Sequence, residues 1–157
     1  MRWISLIGWL VLCFAVAGIS GSWTAVEIPT WYRSLLRPAI APPNWIFGPV
    51  WSVLYALMAI AAWLISQLPN SKERTVALLL FCLQLALNFA WSWLFFHLHR
   101  TGIAVVENVL LWVCILATIA AFLPLSRIAG WLLVPYIAWV SFAILLNFEF
   151  WRINKQS

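Results

Sequence analysis

Five apolar runs, separated by short polar breaks, constrain this chain more than any other feature. They cover about residues 3–19, 46–68, 75–98, 103–123 and 128–151. Each is long enough, as a helix, to cross about 30 Å of hydrocarbon. A water-soluble fold would need a polar stripe along each helix, and most of the chain has none. Charged residues make up only 8% of the sequence, hydrophobic residues 66%, and mean hydropathy is +0.99. That is too little charge to coat a soluble globule. The expected fold is an all-α membrane protein, a bundle of five transmembrane helices forming one domain over residues 1–157.

The breaks are as informative as the runs. Pro69 and the polar stretch Asn70 to Arg74 close the second run, Thr101-Gly102 separates the third from the fourth, and Pro124 stops the fourth. Arg2, Ala15, Val16 and Ala17 are also compatible with a cleavable leader, but a retained first helix is expected because the other spans need a packing partner. Nine basic residues give a net charge of +5, yet they flank apolar runs singly, as membrane anchors do. Nucleic-acid binding is not expected. Arg2, Lys72, Arg74 and Arg127 fall on one side of the membrane, and Arg33, Arg37, Arg100, Arg152 and Lys155 on the other. That balance leaves the orientation open.

Only one connection is long, a proline-rich first loop over about residues 22–45. The stretch Trp31 to Tyr55 holds four of the eight prolines and three of the thirteen tryptophans. Pro38, Pro42 and Pro43 restrict the backbone before folding, which lowers the cost of ordering it. The pattern predicts a rigid lid, with Asn44 capping a following helix whose first turn contains Pro49. That helix presents Trp51 and Tyr55.

Polar residues at membrane depth should face the bundle interior, because an unpaired amide in hydrocarbon is costly. Gln84, Asn88 and Ser92 recur every four residues, forming one stripe on the third span. Tyr136, Trp139, Ala143 and Asn147 form another on the fifth, and Trp51, Tyr55, Ala59 and Ala62 a third on the second. Each residue taken alone fits helix packing. The three faces together predict a cavity for a flat, mostly apolar ligand with a few polar groups. Cys13, Cys82 and Cys114 lack metal-ligand spacing and read as packing residues. His97 and His99 lack a third ligand and read as interfacial caps. Glu107 and Glu149 are expected near the interfaces, where a solvated carboxylate is tolerated. There is no nucleophile–base pair, phosphate loop or metal cluster, so no metal and no required cofactor is expected.

These residues carry a resemblance. Trp31-Tyr32, Arg37-Pro38, Pro42-Pro43 with Trp45, and Phe47-Gly48-Pro49-Val50-Trp51 with Tyr55 are similar to the translocator protein family, the tryptophan-rich sensory proteins. Gln84 to Asn88 with Trp91, Phe95-Phe96, Pro135-Tyr136 with Trp139, and Leu146-Asn147 with Trp151, Arg152 and Asn154 continue it. The resemblance implies an integral multi-pass protein of the bacterial cell membrane, often a homodimer, that binds porphyrins or haem. It implies a sensor or regulator, in some members promoting light-dependent porphyrin breakdown. A transporter of porphyrins or other hydrophobic small molecules, and a porphyrin-degrading enzyme, are the alternatives.

Carried over, the pocket wall comprises Tyr32, Trp51, Asn88, Trp139, Ala143 and Asn147, with Gln84 alongside. Tyr55 and Tyr136 join them from the periodicity. Arg33 and Arg37 are the lid cations expected to meet anionic propionates, and Trp51 and Trp139 are candidate redox partners. The cholesterol-recognition segment of animal members centres on a tyrosine, where this chain has Phe148. Membrane lipid is an expected partner, but the resemblance does not carry sterol binding.

Overall fold

The computed structural model describes residues 2–155. Its helices are α1 (Arg2–Glu27), α2 (Phe47–Ser66), α3 (Lys72–Ser92), α4 (Thr101–Phe122), α5 (Arg127–Leu132) and α6 (Val134–Asn154). Five helical segments are long and apolar enough to span a membrane, with α5 and α6 together making the fifth. No strand occurs among the described residues. The fold is the all-α, five-span bundle that the hydropathy predicts.

Helix ends follow local chemistry. The Ser71 side chain accepts from the Arg74 N–H at 3.1 Å, so α3 begins at Lys72, a turn's length before the expected residue 75. Ser126 accepts from the Ala129 N–H at 3.3 Å and opens α5. The expected single fifth helix is broken at Leu133, because Pro135 lacks an N–H and restarts the ladder as an early residue of α6. Asn44 does not cap α2 as expected. It opens a 3₁₀ turn, Asn44–Ile46, and its Oδ1 accepts from Arg37 at 3.0 Å.

The largest departure is at the first connection. Helix α1 continues well past residue 19, and a π-helical turn, Ile28–Tyr32, follows it directly. Pro29 is the second residue of that turn, and the wide π geometry accommodates the hydrogen bond it cannot donate. The lid is therefore short, about residues 33–43 rather than 22–45, and Tyr32 belongs to the end of a helical segment. The lid is braced internally by Arg37, which also donates to the Pro42 carbonyl. It is tied to α6 as well: the Leu36 N–H donates to Asn154 Oδ1 at 2.9 Å, and Asn154 Nδ2 donates to the Leu36 carbonyl at 3.1 Å.

Around the bundle, α1 packs on α2 and α3, α4 packs on α3 and α6, and α5 packs on α2. Far from the lid, α1 and α2 are joined: Trp63 Nε1 donates to the Arg2 carbonyl at 3.0 Å, and Gln67 Nε2 donates to Ser5 Oγ at 2.9 Å. Here a dry core forms around Met58, Ile65, Phe81 and Phe122. At the lid end α1 is held instead by α3 and the turn after it. Trp23 lies 5.1 Å from Phe89, and Trp31 stacks on His99 at 4.1 Å and 11°. His99 Nε2 meets Glu27 Oε2 at 3.0 Å, so His99 clamps two connections.

Candidate functional site

A cavity of about 510 Å³ lies under the lid, bounded by α1, α2, α3 and α6. That volume falls within the range of small-molecule sites. No charged side chain lines it among the described residues. Trp51 enters from α2, and Trp139 and Ala143 from α6. Asn88 comes from α3, Asn147 from α6, and Tyr32 from the π turn under the lid. Tyr55 closes the floor. Neither the Trp51 nor the Trp139 indole N–H is hydrogen-bonded among the described residues, so each offers a ligand a flat face and one donor. The Ser20 hydroxyl, also on the wall and only 6% exposed, faces Tyr55 and makes no direct hydrogen bond of ordinary length.

Behind the wall lies a hydrogen-bonded relay at membrane depth. Tyr55 donates its hydroxyl to Asn88 Oδ1 at 2.7 Å, and Asn88 Nδ2 donates to the Tyr136 oxygen at 2.8 Å. The Tyr136 hydroxyl in turn donates to Gln84 Oε1 at 2.8 Å. Three spans are thus cross-linked by side chains that hydrocarbon could not solvate. Asn147 is similarly engaged, accepting from Trp91 Nε1 at 3.0 Å and donating to the Thr101 carbonyl at 3.0 Å.

Two expected wall residues are corrected by this arrangement. Gln84 and Tyr136 do not reach the cavity. They are fully buried behind it and support Asn88 and Trp51, because the aromatic ring of Trp51 packs across Tyr136 at 6.3 Å. The lid cations are also displaced from the main cavity. Arg33 and Arg37 line a smaller recess of about 330 Å³, which shares Ile28, Tyr32, Asn44 and Phe150 with the cavity.

Two other carboxylates part company. Glu149 is paired with Arg152 at 2.6 Å, on the helix surface. Glu107, expected to be solvated, is 8% exposed, and neither of its oxygens has a partner. It lies on the face of α4 buried by α3 and α6, which periodicity at a helix start did not reveal.

The sequence reading missed the contribution of α1. Phe14, Ala17, Gly18, Ser20, Gly21 and Thr24 form one wall of the cavity. Their spacing, with small residues at three- and four-residue steps, was the available signal. Phe47, Trp91, Phe95, Phe96, Phe142 and Phe150 add to the aromatic lining.

A five-span membrane bundle with an uncharged, indole-lined cavity beneath a proline-rich lid is the class of protein that this fold and site define. A sequence model described as the TspO/MBR family matches residues 9–152. The chain is 40% identical over 143 residues to Protein CrtK of Rhodobacter capsulatus, covering 90% of this chain and 89% of that one. It is 36% identical over 154 residues to the tryptophan-rich sensory protein of Cereibacter sphaeroides, covering 98% and 94%. It is also 37% identical over 155 residues to the translocator protein of Bos taurus, covering 98% and 92%. This chain belongs to the TspO/MBR family and is a multi-pass membrane protein.

Proposed function

We propose that this protein is a membrane-embedded binding protein and sensor for porphyrin-like tetrapyrroles, placed in a bacterial cell membrane. The observation that carries this reading is the division of polarity between two adjoining spaces that share four wall residues. The main cavity is uncharged and walled by aromatic faces, while the adjoining recess under the lid holds two arginines. A flat macrocycle with acidic groups on one edge has the same division. Its rings would stack on Trp51 and Trp139, and its carboxylates would approach Arg33 and Arg37 through charge-assisted hydrogen bonds. The names of relatives as sensory and translocator proteins support a role in sensing or handling a small molecule in the membrane.

A second reading is favoured by the two unpaired indoles facing the cavity from separate helices. In it, illuminated porphyrin is oxidised by dissolved dioxygen, which is reduced, with Trp51 and Trp139 as redox partners in that electron transfer. Titration of the purified protein with protoporphyrin IX, in darkness and under illumination, tests both. Saturable dark binding that weakens in Trp51→Phe and Trp139→Phe supports the first reading. Loss of porphyrin absorbance in light, abolished in the same variants, supports the second. Equal affinity and photochemistry in wild type and both variants would remove these residues from the site.

A further inference from the structure

We propose that the cavity exchanges its ligand with the hydrocarbon of the bilayer, sideways through the seam between α1 and α2, and not with water past the lid. The inference rests on the binding reading above and adds to it the phase from which the ligand comes.

The exposed residues of the cavity wall carry the argument. They are Phe14, Gly18, Gly21 and Ala25 on α1, and Gly48 and Ser52 on α2. Every wall residue on α3 and α6 is buried or half-buried. The exposed part of the wall that these helices supply therefore lies along the α1–α2 seam. The direct hydrogen bonds joining the two helices that bound that seam lie at its far end, Trp63 with Arg2 and Gln67 with Ser5, and Cys13 and Ser20 of α1 approach Tyr55 of α2 further along. Toward the lid, Trp23, Glu27 and Trp31 draw α1 against α3 and His99 instead.

Nothing fills the gap. A Cβ placed on Gly18, Gly21 or Gly48 would meet no atom within 4 Å. At 1.5 Å per residue, Phe14 and Gly18 lie roughly 18 and 24 Å along α1 from Arg2, with Gly21 at about 29 Å and Ala25 beyond it. With a hydrocarbon core of about 30 Å, the seam opens in its lid-side half. The route through the lid is closed by ordered contacts. Arg37 is bonded to Asn44 and Pro42, Asn154 is bonded twice to Leu36, and Tyr32 packs on Phe150 at 5.1 Å. Just inside the seam, the Ser20 hydroxyl, near Tyr55, is available as a first polar contact.

A side opening selects ligands by their partition into the bilayer before the wall selects by shape. The class it admits is a planar, membrane-dissolved molecule with at most a polar edge. A tetrapyrrole confined to water is not taken up.

Two measurements on the full chain in phosphatidylcholine vesicles test the proposal. The first uses Gly21→Cys in a Cys82→Ser background. A bilayer-soluble pyrenyl maleimide should label it at least tenfold faster than a sulfonated, water-confined maleimide present on both sides. Equal labelling by the charged reagent would overturn the proposal. The second follows protoporphyrin IX association and dissociation by stopped flow. Ser52→Trp, which adds bulk at the α2 rim, should slow association tenfold or more. Gly48→Leu, at the same rim, should do likewise and covers the case in which Ser52→Trp does not fold. Asn154→Ala, which loosens the lid, should leave both rates within twofold of wild type. Rates that ignore the rim variants but rise in Asn154→Ala would assign the route to the lid. If wild type binds no porphyrin, the binding reading fails, and the maleimide comparison decides the seam by itself.

Discussion

Tyr136→Phe probes whether the relay behind the cavity holds the bundle together. The substitution keeps the ring against Trp51 but removes a hydroxyl with no solvent exposure. Two bonds go, the donation to Gln84 at 2.8 Å and the acceptance from Asn88 at 2.8 Å. Interhelical hydrogen bonds in membranes contribute about 0.6 kcal/mol on average and about 1.7 at most. The expected loss is thus about 1.2 kcal/mol, with a ceiling of about 3.4. Tyr55→Phe deletes one bond, to Asn88 at 2.7 Å, and should cost about half as much. Both tyrosines act on the same amide, so the double variant should lose less than the sum of the two. Reversible unfolding in mixed micelles of dodecyl sulfate supplies the free energies. If Tyr136→Phe costs no more than Tyr55→Phe, or if either variant is more stable than wild type, the relay is not a structural cross-link and the reasoning fails.

Ala143→Leu should leave the melting temperature in detergent near wild type but weaken porphyrin binding about tenfold, or about 1.4 kcal/mol. A tight helix contact there would instead show as early melting, with overpacking of about 1–3 kcal/mol. Arg33→Gln and Arg37→Gln should each weaken porphyrin binding more than binding of a neutral aromatic ligand. Only Arg37→Gln should also loosen the lid, read as faster proteolysis between residues 33 and 43, because only Arg37 bonds to Asn44. Glu107→Gln keeps the side-chain shape and removes a group that is costly to bury as an unpartnered charge. Its unfolding free energy should match or exceed wild type, and a loss above about 1 kcal/mol would mean that Glu107 has a stabilising partner.

The spans and much of the cavity wall were legible because membrane burial writes itself into composition. Hydropathy located the helices, and the spacing of Trp51, Asn88, Trp139, Ala143 and Asn147 marked residues that the structure gathers around one space. Periodicity alone does not say how deep a residue sits. Gln84 shares the stripe of Asn88, yet a tyrosine from α6 stands between it and the cavity. The end of α1 was misjudged because Pro29 and Glu27 resemble the start of a loop. A π turn accommodates the proline, and Glu27 is held by His99 from a distant part of the chain. The wall from α1 was missed for a simpler reason: glycines and alanines leave space without announcing it.

The pair of hydrogen bonds between Asn154 and Leu36 means that the roof of the site is held by the final turn of α6. Events at the carboxyl end of the chain are thereby transmitted across more than a hundred residues of sequence to the loop between the first two spans. Cleavage before Asn154, or a fused domain pulling on the end of α6, would act as a remote control of lid order without touching a cavity-lining side chain. The amide of Asn154 serves as a short artificial strand, offering one acceptor and one donor to the Leu36 backbone. A glutamine, one methylene longer, would carry the same groups but set them out of register.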